Sequence, residues 1–395
     1  MKTGLSKKNM GISSSLTLAI TAKAKKMKED GIDVVSFGAG EPDFNTPKHI
    51  REAAVDALEK GLTGYTAASG LPKLKEAICE KFKKENHLIY QSENIVVSNG
   101  AKHSLYNALQ AICNPGDEVI VPLPYWVSYT ELVKLADATP ILVHTKEEDG
   151  FKYTKESLEN VITTNTKAII LNSPNNPTGT VYTEDELKMI ADFAVKNNIY
   201  VISDEIYEKL IYEGSHMSIA SLGDEIKKLT IVVNGMSKAY AMTGWRIGYL
   251  ACEKEIAQII TNIQSHATSN PNTMAQYASI AALQGDQTPI SKMVESFLER
   301  RNYMVEKINS IEDLSCRKPE GAFYVMVNIS KIIGKTFKGY HINGSMDFAE
   351  YLLDTVNVAV VPGVAFGADE YIRLSYATSL ENIQEGLKRI QQAIQ

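Results

Sequence analysis

Residues 167–203 read KAIILNSPNNPTGTVYTEDELKMIADFAVKNNIYVIS. Two apolar runs, Lys167–Leu171 and Ile199–Ser203, flank a helical pattern over Glu184–Asn197. Strand, helix and strand in that order make a βαβ unit, whose parallel strands are buried on both faces. The same pattern extends outward. Asn94–Ser98, Glu118–Val121 and Leu229–Val233 are further short runs ending in polar or Gly/Pro punctuation, and Lys102–Ile112 is a further helical pattern. The expected fold is therefore α/β, with a mostly parallel sheet covered on both sides. One link differs. Only about a dozen residues join Val233 to the run Arg246–Ala251, roughly the minimum for a parallel crossover, so that strand is expected to be antiparallel.

Outside this region the pattern changes. After about residue 290, helices (Ile290–Asn309, Met346–Thr355) mix with short strands (Ala322–Val327, Ala359–Pro362, Tyr371–Ser375). This predicts a smaller α+β domain formed by 1–45 and 291–395, beside a large domain over 46–290. Gly334–Gly344 reads as a loop insertion.

Composition limits the function classes. The 395 residues are 44% hydrophobic and 22% charged, ordinary for a globular chain, so disordered and fibrous classes are excluded. Forty-one Lys+Arg against 47 Asp+Glu give a net charge of −6, which argues against a nucleic-acid binder or an anionic membrane surface as partner. Cys79, Cys113, Cys252 and Cys316 lack paired spacing and read as free thiols of a reducing compartment. With no signal peptide and no long apolar run, the expected location is cytoplasmic.

In an open α/β sheet, ligands sit beyond the carboxyl ends of the strands. Here those ends carry Ser98-Asn99-Gly100-Ala101-Lys102, Pro124-Tyr125-Trp126, Ser173-Pro174-Asn175-Asn176-Pro177-Thr178-Gly179, Asp204-Glu205-Ile206-Tyr207, and Ser237-Lys238 with Gly244-Trp245-Arg246-Ile247-Gly248. Each has a bland reading alone: a turn, a core aromatic, a helix cap, a solvated lysine. Arg373, in a strand-like run, could simply face solvent. Together they supply what pyridoxal phosphate requires. A helix N-terminus and a cation suit the phosphate, and a carboxylate suits the ring nitrogen. Donors suit the phenolic oxygen, and an amine suits the aldehyde.

On these motifs, and on Gly38-Ala39-Gly40-Glu41-Pro42-Asp43-Phe44 and Arg373-Leu374-Ser375-Tyr376-Ala377, the chain resembles the class I aminotransferases, most of all the bacterial aspartate aminotransferase subgroup. The resemblance spans nearly the whole chain. It implies the PLP-dependent transferase fold type I, with a seven-stranded sheet in the large domain. It also implies pyridoxal 5'-phosphate as cofactor and a homodimer with shared active sites. Metal sites, P-loops, nucleophile elbows and complete dinucleotide fingerprints are not found in the sequence.

The resemblance also assigns roles. Lys238 is implied to hold the cofactor aldehyde and to move the substrate α-proton, Asp204 to pair with the ring nitrogen, and Asn176 and Tyr207 to donate to the phenolic oxygen. Trp126 is implied to lie on the ring face. Gly100, Ala101 and Arg246 are implied to hold the phosphate, with Tyr65 reaching in from the partner subunit. Arg373 is implied to clamp the substrate α-carboxylate, and the Gly40 backbone to approach it, leaving no room for a side chain. Thr17 and Lys102 are the expected discriminators of the side-chain pocket, and suit prephenate as well as aspartate. The expected reaction is transfer of the amino group of L-aspartate to 2-oxoglutarate. Aromatic, prephenate or alanine aminotransferase activity, a β-lyase and a non-enzymatic cofactor-binding regulator are the rival readings.

Overall fold

The computed structural model describes the chain except residues 1–3, 5, 14 and 15, and, for residues 7, 8, 16–19 and 21, the backbone alone. Seven strands form the central sheet: β1 (Ile95–Ser98), β2 (Glu118–Leu123), β3 (Thr139–His144), β4 (Thr166–Asn172), β5 (Tyr200–Asp204), β6 (Thr230–Gly235) and β7 (Gly248–Ala251). Their order is β1-β7-β6-β5-β4-β2-β3. Pairings are parallel except those of β7, which runs antiparallel to β1 and β6, as the short connection from Val233 required. The edge strand β3 was not among the sequence runs. It is mostly half-exposed or exposed and begins Thr139-Pro140, so it has no continuous apolar signal.

The inner strands β4, β5 and β6 are buried along nearly their whole length, which explains their apolar runs. Val96, Ile170, Ile202 and Val233 pack on one face with Leu105 and Leu109 of helix Ala101–Ile112. Ile120, Ile169, Leu171 and Val201 pack on the other with Leu187 and Ile190 of helix Glu184–Asn197. That second helix starts at a reciprocal cap. Thr183 Oγ1 accepts from Glu186 N, and the Glu186 carboxylate accepts from Thr183 N at 2.7 Å. It ends at Asn198 in the left-handed region, φ +50°.

A second, antiparallel sheet takes Ser315–Cys316, Tyr324–Asn328, Val361–Pro362 and Tyr371–Ser375. Early in the chain, Val35–Ser36 pairs in parallel with Val358–Ala359. Gly334–Gly344, expected as a loop, holds a short hairpin, Thr336–Phe337 against Tyr340–His341. The two sheets meet where Gly179 O accepts from Glu320 N at 3.0 Å and from Gly321 N at 2.8 Å. A β-carbon on Gly179 would come within 2.3 Å of Pro319 Cβ. Among the described residues no helix is long and apolar enough to cross a membrane.

Candidate active site

Strand register assembles the site. Asn172 pairs with Asp204 across β4 and β5, Asp204 with Val233 across β5 and β6, and Gly235 with Gly248 across β6 and β7. Parallel strands thus end at one level, and their final side chains converge. A cavity of about 630 Å³ opens there, between this edge and the second sheet. Ten expected site residues line it: Gly40, Ala101, Lys102, Trp126, Asn176, Asp204, Tyr207, Lys238, Arg246 and Arg373.

Lys238 follows β6 and is partly buried, with Nζ donating to Gly40 O at 2.5 Å. Burial lowers its pKa to about 8. Arg246 and Arg373 push the same way, against Glu41 and Asp204. A lysine so placed is an accessible nucleophile and base near neutral pH. Asp204 is 3% exposed. Burial pushes its carboxyl up to about 6, although Tyr129 Oη donates to Oδ2 at 2.8 Å and Ile206 N to Oδ1 at 3.3 Å. A cation against this carboxylate would restore its ionised form. The Tyr207 hydroxyl lies 3.0 Å from that of Tyr324, and burial holds its pKa well above the usual phenol value.

Arg373 sits on strand Tyr371–Ser375, opposite Met326 and Val361, and is 3% exposed. Its guanidinium lies 4.2 Å from the Tyr324 ring centroid and 4.8 Å from that of Phe366. Nη1 donates to Asn176 Oδ1 at 2.9 Å, while Nε is buried without a partner. A buried cation with an unused donor has capacity for a carboxylate. The Asn176 main chain is fixed by Asn172 Oδ1 at 2.8 Å, and Asn172 Nδ2 donates to Asp204 O at 2.9 Å. The two carboxyl-end loops therefore hold each other.

Helix Ala101–Ile112 points its N-terminus at the cavity. Gly100 precedes it at φ +89°, a conformation that favours glycine, and a β-carbon there would lie 2.2 Å from Arg246 Nη2. Gly248 allows the close approach of β7. Its β-carbon would lie 2.2 Å from Ala101 N and 2.3 Å from Gly100 C. Arg246 donates to Thr243 O at 2.9 Å and Asn99 O at 3.2 Å, which keeps its charge beside the helix start. The result is an anion site of amides, dipole and guanidinium. Lys102 lies 4.8 Å over the Trp126 ring, and burial, with Arg246, lowers its pKa. Trp126 meets Tyr129 edge-on at 5.3 Å between centroids.

Three expected residues stand apart. Gly100 shapes the start of helix Ala101–Ile112 without lining the cavity itself. Tyr65 is 92% exposed and outside the cavity of its own chain. The Thr17 side chain lies outside the described residues. Among the protein's own atoms, a β-carbon on Gly40 would meet only Tyr324 Oη, at 3.8 Å. Sequence reading missed Tyr129, Asn172, Tyr324 and Glu41, all of which line the cavity. Glu41 lies within the glycine-rich motif at 38–44 and accepts from Thr243 Oγ1 at 2.5 Å, a signal that was available.

These groups fit pyridoxal phosphate. The anion site, the Asp204 carboxylate, the Tyr207 hydroxyl, the Trp126 face and the Lys238 amine share one cavity, with an unsatisfied Arg373 donor beside them.

Comparison with known proteins gives the same direction. Residues 32–390 match the family model described as aminotransferase class I and II. An aspartate aminotransferase of Bacillus sp. (strain YM-2) is 51% identical over 99% of both chains. A probable aspartate/prephenate aminotransferase of Aquifex aeolicus is 45% identical over 100% of both. The structure of the Thermus thermophilus aspartate aminotransferase with maleate superposes with a TM-score of 0.94, at 42% identity over 99% of both chains.

Proposed function

The chain belongs to the class I and II aminotransferases, pyridoxal-phosphate-dependent transferases, and from that premise we propose the residue roles, substrates and assembly that follow. The enzyme transfers the amino group of L-aspartate to 2-oxoglutarate, giving oxaloacetate and L-glutamate in two half-reactions. One observation carries this reading. A lysine amine lowered to about 8 shares a cavity with a buried carboxylate at Asp204 and a buried, under-satisfied arginine at Arg373.

When bound, the cofactor supplies an electrophilic aldehyde and a ring that accepts the electron pair left at the substrate α-carbon. The protein does the rest. Lys238 would hold the aldehyde and, when free of it, would carry the proton to and from the α-carbon. Asp204 pairs with the ring nitrogen and keeps it protonated. Tyr207 and the Asn176 amide donate to the phenolic oxygen. The bond from Arg373 to Asn176 Oδ1 supports this, because it leaves the Asn176 amide nitrogen as the free end. Trp126 would offer its face to the ring, and Gly100, Ala101 and Arg246 would hold the phosphate. Arg373 receives the α-carboxylate in bidentate fashion. The Gly40 backbone lies beside that group.

Lys102, and Thr17 in the N-terminal helix, serve the substrate's distal carboxylate. The relatives' names support both aspartate and prephenate as substrates, so prephenate is the second reading. Tyr65 serves the phosphate of a partner subunit, which its 92% exposure supports, and the working form is a homodimer. The large domain is 46–290 and the small domain 1–45 with 291–395. The location is cytoplasmic.

The test is the visible absorption of the cofactor-loaded protein. L-aspartate should convert it to the amine-bearing form of the cofactor, absorbing at shorter wavelength, and 2-oxoglutarate should reverse the change. Conversion by phenylalanine but not aspartate would replace the substrate and keep the residue roles.

A further inference from the structure

The turn after β5 has two faces. Asp204 and Tyr207 line the cavity, whereas Glu205 and Glu208, also three residues apart, do not. Instead they enter a buried polar cluster behind the site. Glu205 is 1% exposed. Its Oε1 accepts from Ser203 Oγ at 2.9 Å and Ser218 Oγ at 2.6 Å, and its Oε2 faces His216 Nε2 at 3.0 Å. Glu208 pairs with Lys81 and accepts from Asn86 Nδ2 at 3.0 Å, with His216 Nε2 4.0 Å away. Lys81 also donates to Asn86 Oδ1 at 2.8 Å.

The carboxylates and the imidazole lie within 4.8 Å of one another, a spacing that a metal ion could use. Lys81 already provides the cation. Two buried carboxylates face Lys81 and His216, whose proton affinity they raise, which is how buried charge is tolerated, and His216 Nδ1 is buried without a partner. All of it hangs on five consecutive residues, 204–208, held further by Glu205 N to Val233 O at 2.8 Å and Glu208 N to Glu205 O at 2.9 Å.

We propose that the cluster of Glu205, Glu208, His216 and Lys81 positions Asp204 and Tyr207 and sets the charge behind the cofactor ring. His216 and Glu205 are thus positioning residues acting through Asp204. This rests on the assignment of Asp204 to the ring nitrogen. The groups facing His216 are Glu205 and Glu208 on the turn and Lys81 on helix Pro72–Glu85. The Glu85–Lys209 pair lies beyond them, and the phenols of Tyr90, Tyr240 and Tyr249 around the cluster stay neutral. Burial lowers the proton affinity of His216, but Glu205 and then Glu208 outweigh it, and the net direction is upward.

The experiment is a pH titration of the visible absorption of the cofactor-loaded enzyme, with steady-state kinetics. His216→Gln keeps a donor toward Glu205 and removes the cation. The uncompensated carboxylate should raise proton affinity at Asp204 and the cofactor, moving the midpoint upward by about half a pH unit or more. kcat should fall with KM little changed. Ser218→Ala removes one hydrogen bond and no charge. It should lower kcat by a smaller factor without moving the midpoint, and serves if His216→Gln does not fold. Parental midpoint and kcat in His216→Gln, or parental kcat in Ser218→Ala if that is the variant that folds, overturn the proposal, whatever happens to thermal stability. Asp204→Asn is titrated beside them. If it shifts the midpoint and His216→Gln does not, the positioning role fails and the Asp204 assignment stands. If neither shifts it, both fail.

Discussion

Arg373 Nη1 donates to Asn176 Oδ1 at 2.9 Å, across 197 positions of sequence. This bond joins the second sheet to the carboxyl end of β4. It also occupies the oxygen end of the Asn176 amide. Arg373→Lys keeps the charge but loses the fork that can hold a carboxylate and Asn176 together. At about 1.5–3 kcal/mol per charge-assisted hydrogen bond, kcat/KM should fall roughly 10- to 100-fold or more for every amino donor. Steady-state kinetics on aspartate, glutamate and alanine check this. A loss confined to the dicarboxylates would place Arg373 in the side-chain pocket instead.

Lys238 carries a stability cost that depends on pH. Lowered from 10.5 to about 8, it is neutral in the folded chain and protonated in the unfolded chain between those values. The unfolded chain binds more protons there, so stability rises with pH across that window, and the full cost stands below pH 8. Cofactor-free Lys238→Met should therefore be more stable than the parent at pH 7, by an amount on the order of 1–3 kcal/mol. The gain should shrink towards pH 10. Chemical denaturation at both pH values measures it, and a gain that grows with pH would reverse the assignment. The same variant should lose transamination, since general-base catalysis alone accounts for about 10²–10⁴-fold.

Gly248→Ala should damage the phosphate turn from behind. The new methyl would meet the backbone of Gly100 and Ala101, which cannot rotate away. Overpacking of this kind costs about 1–3 kcal/mol. Both the melting temperature and cofactor affinity should drop, the latter read by equilibrium dialysis. A stable variant with parental affinity would mean that β7 does not hold the helix start.

Lys81→Met should be more harmful than its distance from the cavity suggests. It strands Glu208, which burial pushes up but Lys81 and His216 hold down at about 2. Breaking a buried pair from one side costs about 3–5 kcal/mol. The double variant Lys81→Met with Glu208→Gln should recover part of the loss. A double-mutant cycle on unfolding free energies gives the coupling, and simple additivity would show that the pair contributes little.

Much of this arrangement was legible in the sequence because its elements are local. β4, β5 and β6 are buried on both faces, so their apolar runs stand out, and Asp204 and Lys238 sit where those runs stop. What escaped notice depends on distant partners. Tyr129 reaches Asp204 across 75 positions, and nothing near a buried tyrosine in a helix marks it as the donor to a carboxylate. Tyr324 meets Tyr207 across 117 positions, and the strand-like run Ala322–Val327 gives no sign of that partner. β3 escaped because an edge strand has no reason to be continuously apolar. Glu205 and Glu208 lay in plain view within a motif already quoted. Their partners His216 and Lys81 come from separate segments, so the cluster exists only in the folded chain.

The pairing of Val35–Ser36 with Val358–Ala359 bears on synthesis. A ribosome delivers the chain from its amino end, so residues 36–357 must be made before Val35 meets its neighbour strand. Every strand of the central sheet emerges before Arg373 does. A nascent chain stalled between Ala251 and Arg373 therefore carries Asp204, Lys238 and Arg246 with no guanidinium opposite them. The cavity between the two sheets is therefore complete only after the strand Tyr371–Ser375 has been made.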